Sequence, residues 1–270
     1  MKSKKKKLGG NDTRFAYALL APSLILLVLL IGYPMIYNIV ISFQDVPINP
    51  RMASEFVGLD NFKAVFQDKS FYQSVFVTLI FTVLVTAVST AFGLAIAVFM
   101  NREFVGKKLV NSIIILSYVV PAVCLIFAWR YMFNNIYGII NYIIVDVLKL
   151  ADEVPLWFDQ PASAFILVTI FAIWKFYPYA YMSFVAILQS VDKSLYEAAD
   201  MDGATSWQKF LAVTYPAIKP TLVTVVSLRT IWVFYIYTEV YLLTKQVNVL
   251  GVYLLSLIHI SEPTRRVVIS

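Results

Sequence analysis

Apolar residues dominate this chain in five long runs, which short polar connections separate. A helix needs about 20 mostly apolar residues to cross a bilayer. The runs that reach this length are residues 15–43, 71–100, 109–133, 162–188 and 221–243. The pattern therefore predicts an all-α, polytopic membrane protein with five transmembrane helices.

Prolines lie inside several of these runs, namely Pro22, Pro34, Pro121 and Pro178. Proline has no backbone N–H, so the carbonyl four residues before it loses its helical partner. A spanning helix tolerates this loss when a neighbouring helix supplies another donor. We therefore expect each run to cross the bilayer as one helix.

The composition agrees with a membrane location, because 60% of the residues are hydrophobic and only 14% are charged. A soluble fold of this composition would expose more apolar surface than one core can hide. The formal charge of +6 is compatible with nucleic-acid binding, but the basic residues cluster in the N-terminal KSKKKK and in short connections. That distribution is typical of membrane topology. We expect contact with lipid and no nucleic-acid partner.

Lysine and arginine are unevenly shared between the connections. They are frequent in residues 1–14, in the connection that follows residue 100 and in residues 189–220, and they are sparse in residues 44–70 and 134–161. Cytoplasmic loops carry the excess of positive charge. The N-terminus and residues 189–220 are therefore predicted to be cytoplasmic.

The single cysteine, Cys124, lies in an apolar run. With no second cysteine, neither a disulfide nor a thiolate metal site is predicted. We expect Cys124 to be a packing residue.

Residues 255–270 differ in character from the rest of the chain. Their first part, LSLIHISEPTR, matches the translation of a transposon-based sequencing adapter. We expect the natural sequence to stop near Leu254, which leaves His259 without a functional role. The alternative is a natural amphipathic tail. The predicted organisation is a basic tail at 1–14, a transmembrane domain at 15–254 and a non-native segment at 255–270.

A charged segment at residues 189–220 separates the last two apolar runs. Ser194 and Glu197 have the spacing of a capping box, which predicts the start of a short helix. Gly203 fits a left-handed C-cap that would end this helix. A short helix followed by a tight turn is the predicted structure.

A second short helix is predicted after the turn. Thr205 and Gln208 repeat the capping-box spacing. Pro216 is expected to end this helix. The loop therefore reads as helix, tight turn, helix.

Small and acidic residues surround the predicted turn. The small residues are Ala198, Ala199 and Ala204, and the acidic residues are Glu197, Asp200 and Asp202. Small side chains let another backbone come close, which favours a docking surface. A solvated connector that merely joins two spans is the alternative.

The residues of this loop follow a specific order: E-A-A at residues 197–199, three residues, Gly203, nine residues, Val213, one residue and the pair Tyr215-Pro216. This order resembles the EAA loop of ABC importer permeases. The usual pattern ends in I-x-L-P, so Tyr215 departs from it.

Other segments are similar to the carbohydrate-type permeases, the family of the maltose and glycerol-phosphate systems. FVGLDNFKAVFQDKSFYQSV at residues 56–75 looks like their first external loop and second-helix entry. PSLILL at 22–27, LYEAADMDGA at 195–204 and SLRTIWVFYIYTEVYLLT at 227–244 fit the same subfamily. The similarity covers most of residues 15–244. Such permeases have a sixth core helix, which we expect to be missing here.

The resemblance implies that the loop inserts into a cleft on a separate ATP-hydrolysing subunit. Glu197 would face that subunit and pair with a basic residue, and Gly203 would form the turn. Pro216 would fix the exit toward the fifth helix. The residues lining the contact would be Ala198, Ala199 and Asp202.

The resemblance also implies a binding-protein-dependent importer of sugars or polyol phosphates in a bacterial-type plasma membrane. Its partners would be a second permease subunit, two ATP-binding subunits and an extracytoplasmic solute-binding protein. ATP and Mg would be bound by the ATP-binding subunits. This chain would hold no cofactor and would not hydrolyse ATP.

Three ionisable residues lie inside the apolar runs, namely Lys175, Arg229 and Glu239. Such groups cost about 2.5 to 3.5 kcal/mol at mid-helix, which makes them functional candidates. Lys175 lies near the middle of its run and is a candidate for substrate binding or gating. Glu239, near the outer end, and Arg229, near the cytoplasmic end, are expected to snorkel to the interface.

Aromatic residues surround these positions, and Trp174, Tyr177, Trp232 and Tyr235 join Lys175 as candidates for the substrate path. Aromatic rings stack on the apolar faces of sugars, and tyrosine hydroxyls bond sugar oxygens. Tyrosine and tryptophan also gather at membrane interfaces and fill helix contacts. The pattern leaves both interpretations open.

Two further function classes are possible on composition alone. An ion-coupled secondary transporter would place a carboxylate and cation pair at the bilayer midplane in repeated halves, and Glu239 is expected to lie too far out for that. A membrane enzyme would need a credible histidine, paired cysteines or an intramembrane carboxylate pair. The sequence shows none of these, so no catalytic residue and no metal site are predicted.

Overall fold

The computed structural model describes residues 10–47, 53–158 and 160–244, with side chains from Arg14 onward. The segment 255–270 and most of the basic tail lie outside these ranges. The described chain divides into two compact units between Phe71 and Tyr72.

Helices make up most of the described chain, which confirms the predicted all-α class. The elements are α1 (Gly10–Leu27), α2 (Tyr33–Ile41), β1 (Gln44–Asp45), β2 (Glu55–Phe56), α3 (Asp60–Gln67), α4 (Lys69–Met100), α5 (Lys107–Val119), α6 (Ala122–Met132), α7 (Ile139–Tyr142), α8 (Pro161–Leu188), α9 (Lys193–Met201), α10 (Ser206–Lys209), α11 (Tyr215–Phe234) and α12 (Tyr237–Thr244). Three π-helical turns, Val28–Gly32, Ile143–Val147 and Phe210–Thr214, adjoin these helices.

Four helical stretches in the described chain are long and apolar enough to cross a membrane. A bent pair, α5 with α6, raises the number to five if it forms one span. The predicted runs 71–100 and 162–188 match α4 and α8 within two residues.

The first unit contains the first span and a small hairpin. The span runs over Arg14–Ile41 as α1, a π turn and α2. Beyond it, β1 pairs antiparallel with β2. Asn61 at the start of α3 donates from Nδ2 to the carbonyls of Ser42 and Gln44, both at 3.0 Å. The side-chain amide therefore fastens α3 to the first strand.

Two of the three Tyr-Pro pairs in the helices follow directly on a π turn. Val28–Gly32 precedes Tyr33-Pro34, and Phe210–Thr214 precedes Tyr215-Pro216. The ring of a helical proline clashes with the carbonyl four residues earlier, which in both cases lies inside the π turn. The wider turn makes room for that ring, so the helix continues through the proline.

The prediction for Pro216 was therefore wrong. Pro216 does not end the second short helix, because the π turn carries the helix on into α11. The resulting stretch, Ser206–Phe234, begins 15 residues before the predicted run at 221–243. That run is also broken, since α11 ends at Phe234 and α12 begins at Tyr237.

The third predicted run is not one straight helix. Its two halves, α5 and α6, meet at an angle of 97°. Val120 is extended, with φ −66° and ψ 135°, and Pro121 follows it. A residue before proline is driven out of the helical region by contact with the proline ring. The expectation of a continuous helix fails here.

Pro178 is accommodated in a third way, because α8 stays α-helical around it. The carbonyl that Pro178 leaves without a donor belongs to Trp174. Ser117 of α5 donates from Oγ to this carbonyl at 3.3 Å, and its hydroxyl also lies 3.5 Å from the carbonyl of Ile114. A neighbouring helix thus supplies the missing donor, as predicted for a proline in a spanning helix.

Helix α8 contributes side chains to both hydrophobic clusters of the second unit. One cluster includes Val168 and Phe171 of α8 with Val85 of α4 and Leu243 of α12. The other includes Phe184 of α8 with residues of α4, α5 and α11. The central position of α8 follows from its apolar surface, which is covered along most of its length.

The contact between α4 and α8 depends on the absence of a side chain at Gly93. A Cβ atom at this position would lie 2.7 Å from the Ala180 Cβ, 2.7 Å from the Tyr177 carbonyl and 2.8 Å from the Tyr181 nitrogen. Two of these atoms belong to the backbone and cannot move away without shifting α8. The glycine therefore sets the distance between the two helices.

Replacing Gly93 by alanine is expected to destabilise the protein by about 1 to 3 kcal/mol, the usual cost of overpacking. The measurement is the thermal midpoint of the purified protein in detergent. Gly32→Ala is the matched control, because the nearest atom to its new Cβ, Val28 Cγ1, lies at an ordinary 3.7 Å. Equal midpoints for the two variants would contradict the close approach.

Removing the Ser117 hydroxyl is expected to cost about 1 kcal/mol, since the Trp174 carbonyl would be left without a partner. Ser117→Ala should lower the thermal midpoint more than Ser112→Ala. The Ser112 hydroxyl donates to the carbonyl of Lys108 in its own helix at 3.0 Å and is exposed. A larger loss in Ser112→Ala would count against the role given to Ser117.

Candidate functional site

The loop after α8 begins with a capped helix. Asp192 is the N-cap of α9 and accepts the backbone N–H of Ser194 at 2.9 Å. This hydrogen bond, together with one from the Ser194 side chain, holds the pKa of Asp192 below its ordinary value. The ionised Asp192 side chain therefore stabilises the folded protein at a pH above its ordinary pKa. This stabilisation is lost as the pH falls through the lowered pKa. The predicted box of Ser194 with Glu197 was wrong, because Ser194 is a donor inside the helix.

The turn after α9 has the predicted left-handed glycine. Gly203 has φ +70°. Its N–H donates to the carbonyl of Asp200 at 3.0 Å, and the N–H of Ala204 donates to the carbonyl of Ala199 at 3.0 Å. This pair of bonds is the Schellman motif, which satisfies the last carbonyls of the helix. Nothing lies within 4 Å of a Cβ built on Gly203, so glycine is favoured here by the backbone angle and not by a lack of space.

The second short helix also begins as predicted. Gln208 donates its backbone N–H to Thr205 Oγ1 at 3.4 Å, and the Thr205 N–H donates to Gln208 Oε1 at 2.8 Å. These two bonds form a complete capping box. The helix then continues through the π turn into α11.

Two side-chain contacts join the start and the end of the loop. Lys209 Nζ lies 2.6 Å from Asp200 Oδ1, which links α10 to α9. The hydroxyls of Tyr196 and Thr214 lie 3.0 Å apart. The two short helices are therefore fixed to each other by the loop's own residues.

The predicted docking residues surround the turn on this braced loop. Glu197, Ala198, Asp202 and Gly203 are exposed, and Ala199 is half-buried. Pro216 is also exposed, but it lies within the continuous helix and away from the turn. The structure thus brings five of the six predicted residues together.

The charged residues of the apolar runs lie close together. Lys175 of α8 and Glu239 of α12 form an ion pair with Nζ and Oε1 2.6 Å apart, and the side chains are 11% and 18% exposed. Glu239 does not snorkel outward as predicted, because a buried cation is within its reach. The argument that Glu239 lies too far out for a carboxylate and cation pair was likewise wrong.

Arg229 of α11 is fully buried, contrary to the prediction that it would reach the interface. Its guanidinium carbon lies 4.2 Å from the centre of the Phe176 ring. The Nζ of Lys175 lies 4.8 Å from the centre of the same ring. Nε, Nη1 and Nη2 of Arg229 are buried and have no hydrogen-bond partner among the described residues.

The predicted aromatic residues separate into different environments. Trp174 packs with Trp129 at 5.6 Å between ring centres, and Tyr177 packs with Phe92 at 5.0 Å. Trp232 contacts Tyr179 at 4.9 Å, whereas Tyr235 is exposed at the break between α11 and α12. Trp174 and Tyr177 fill helix contacts, while Trp232 lies three residues from Arg229 on the same helix.

Sequence reasoning missed the grouping of these side chains. Phe176 is not among the predicted aromatic candidates, and the pairing of Lys175 with Glu239 joins residues 64 positions apart in the chain. The signal that could have found the group was the presence of three ionisable residues in two apolar runs. The described residues also contain no group of three or more His, Cys, Asp or Glu that could hold a metal.

A family model for the inner-membrane component of binding-protein-dependent transport systems matches residues 89–262, more than half of the chain. This chain belongs to that family of permeases. The membership accounts for the apolar helices.

Named relatives specify the type of permease. The permease is 56% identical over 246 residues to the inner membrane ABC transporter permease protein YcjO of Escherichia coli K12, covering 91% of this chain and 84% of YcjO. It is 31% identical over 240 residues to the trehalose/maltose transport system permease protein MalF of Thermococcus litoralis, covering 88% and 79%. The permease is thus a carbohydrate ABC importer permease, which confirms the resemblance.

The fold of the permease is also found in a solved structure. A chain of a bacterial ABC transporter involved in the import of the acidic polysaccharide alginate matches with a TM-score of 0.74. The match covers 89% of the permease and 80% of that chain at 22% identity. The likeness concerns the fold.

Breaking the ion pair of the permease should destabilise it from either side. Lys175→Met or Glu239→Gln is expected to cost about 3 kcal/mol, because each change leaves a buried partner behind. The double variant should lose less than the sum of the two, as measured by denaturant unfolding in micelles. Lys209→Met, which breaks a more exposed pair, is the control and should cost less than about 1 kcal/mol. Additive losses would show that the two side chains do not interact.

Proposed function

We propose that the permease is one of two membrane-spanning subunits of an ATP-driven importer of sugars or related polyol phosphates. The proposal is supported by the family, whose members belong to binding-protein-dependent transport, and by relatives named for trehalose and maltose transport. An extracytoplasmic binding protein delivers the solute, and two separate subunits bind ATP and Mg. This chain then supplies the path and holds no cofactor.

The observation that carries the proposal is the self-braced loop from Asp192 to Thr214. It presents Glu197, Ala198 and Asp202 to the outside while its own contacts hold the two short helices together. A connector that only joined two spans would not need a Schellman turn, two helix caps and an ion pair. We assign Glu197 to pairing with a basic residue of the ATP-binding subunit, and Ala199 to the close contact.

The helices on both sides of the loop explain how movement reaches the solute path. The loop follows α8 directly, and α10 continues into α11 without a break. Helices α8 and α11 pack against each other and carry Lys175 and Arg229. A displacement of the loop when the ATP-binding subunits close therefore moves the helices that bear the buried charges. The loop and the N-terminus lie on the cytoplasmic side in this scheme.

The candidate solute path consists of Lys175 and Trp232 with the rings next to them. Trp232 is 40% exposed, which leaves part of its face open to a sugar. Trp174 and Tyr177 take part mainly by holding α8 in place, since their rings pack against other aromatic residues. Tyr235 lies at the helix break, where a rearrangement of α12 would move it.

A second candidate, an ion-coupled secondary transporter, is favoured by one observation, the buried pair of Lys175 and Glu239. The two functions differ in their energy source. Uptake into cells that make the complete transporter should persist after a protonophore collapses the ion gradient, provided that ATP is maintained, and should stop when ATP is depleted. The opposite pattern would support ion coupling.

Variants of the turn test the coupling role. Gly203→Ala forces a side chain into a left-handed conformation at a cost of about 1 kcal/mol, whereas asparagine tolerates that conformation. We expect Gly203→Asn to retain most uptake and Gly203→Ala to lose a measurable part. Gly203→Pro, whose ring fixes φ near −65°, should abolish uptake while membrane insertion remains normal.

Glu197→Lys reverses the charge that faces the ATP-binding subunit and should also abolish uptake without affecting insertion. The matched control is Glu103→Lys, which changes a different exposed acidic residue. Normal uptake by the Glu197→Lys variant would show that Glu197 is not part of the docking surface.

Cross-linking tests the contact directly. Cys124 is replaced by serine, and a cysteine is introduced by Ala199→Cys in the full chain within the complete complex. A bifunctional reagent should then capture an ATP-binding subunit, and the same reagent should capture none from Val105→Cys, an exposed position in another connection. Failure of the Ala199→Cys variant to capture an ATP-binding subunit would overturn the docking proposal.

A further inference from the structure

We propose that Arg229 recognises a negatively charged group on the transported solute, so that the preferred substrates are sugars or polyols that carry a carboxylate or phosphate. The inference rests on the proposed function, because it assigns the chemical class of the imported solute. It depends on the charge balance around Phe176.

The guanidinium of Arg229 has the donor geometry and the unpaired nitrogens that suit binding of an oxyanion. It offers five N–H donors in a planar fork that fits carboxylate and phosphate oxygens. All three of its nitrogen atoms are buried without a hydrogen-bond partner among the described residues. Buried polar groups in folded proteins almost always have partners, and an unpaired buried charge costs several kcal/mol. The described residues thus supply no partner for these donors, which leaves the donors available to a solute.

The immediate surroundings of Arg229 do not supply that partner. Phe176 offers only the face of its ring, at 4.2 Å from the guanidinium carbon. Tyr118 and Tyr179 also lie close enough to interact with the guanidinium, but neither forms a hydrogen bond with it. These rings stabilise a cation without neutralising it.

Glu239 is already engaged by the neighbouring cation. Its Oε1 lies 2.6 Å from Lys175 Nζ. The two cations share the ring of Phe176, so Lys175, Glu239 and Arg229 form one group with a net charge of +1. One negative charge is missing from this group, and a solute anion supplies it.

Rings next to Arg229 suit the remainder of an acidic sugar. Trp232 lies three residues further along α11, which places it on a neighbouring part of the helix surface. Its ring contacts that of Tyr179, and 40% of its surface is exposed. A sugar ring stacked on Trp232 can then direct its acidic group toward Arg229.

Arg229 is fully covered in this conformation, so the site described here is closed. A solute reaches the guanidinium only when α8 and α11 separate. The loop at Asp192 to Thr214 connects these two helices, which ties opening of the site to movement of the loop.

The test uses the complete transporter, with its ATP-binding subunits, in lipid nanodiscs and a matched pair of probes, trehalose and trehalose 6-phosphate. Binding is followed by the shift in thermal midpoint and by tryptophan fluorescence at constant ionic strength. For the unmodified permease we expect trehalose 6-phosphate to bind at least tenfold more tightly than trehalose. Equal affinities, or tighter binding of trehalose, would overturn the proposal without the need for any variant.

Variants then test whether Arg229 causes the preference for trehalose 6-phosphate over trehalose. Arg229→Met should reduce the preference to within about twofold, and Arg229→Lys, which keeps the charge but loses the fork, should retain an intermediate preference. Arg130→Met is the control, because Arg130 is a cation of the same unit whose Nη1 donates to the carbonyl of Leu242 at 3.0 Å. An unchanged preference in Arg229→Met, or an equal loss in Arg130→Met, would assign the anion to another site.

The outcome is separable from that of the importer proposal. Arg229 would lose its role if the nanodisc preference failed while ATP-driven uptake by the complete transporter persisted. A clear preference combined with uptake that follows the ion gradient would instead retain Arg229 and reject ATP coupling.

Discussion

Backbone hydrogen bonding inside the bilayer is the constraint on which the other features of this permease depend. Lipid offers no donors or acceptors, so every carbonyl freed by a proline must be satisfied or avoided by the protein itself. The chain uses three different solutions. Ser117 donates to the carbonyl freed by Pro178, π turns precede Pro34 and Pro216, and the chain turns by 97° at Pro121.

These solutions have different mechanical consequences. The π turn before Pro216 keeps α10 and α11 in one helical stretch, so a force on the cytoplasmic loop in the proposed scheme can travel along a continuous helix. The bend at Pro121 instead separates α5 from α6, and the break after Phe234 separates α11 from α12. The second unit therefore contains both a continuous helix that can transmit a force and two breaks at which helices change direction or end.

The three charged residues of this group lie on helices on both sides of the break after Phe234. Lys175 is held on α8, which Gly93 lets approach α4 closely. Glu239 belongs to the short helix α12 beyond the break, and Arg229 belongs to the continuous stretch that leads back to the loop. A group with one unsatisfied cation is costly in the membrane. In the proposed scheme a solute anion lowers this cost, and movement of the loop gives the solute access to the group.

The sequence by itself determined the all-α class, the limits of α4 and α8, the left-handed Gly203 and the capping box at Thr205, because these depend on local composition and backbone preference. The cap at Asp192 and the continuation of the helix past Pro216 are local features that the sequence prediction assigned wrongly. Only the tertiary structure decided that Glu239 pairs with Lys175 and that Ser117 donates to the Trp174 carbonyl. The pairing of side chains from distant helices depends on how those helices pack, and a one-dimensional pattern of apolar residues contains no such distances.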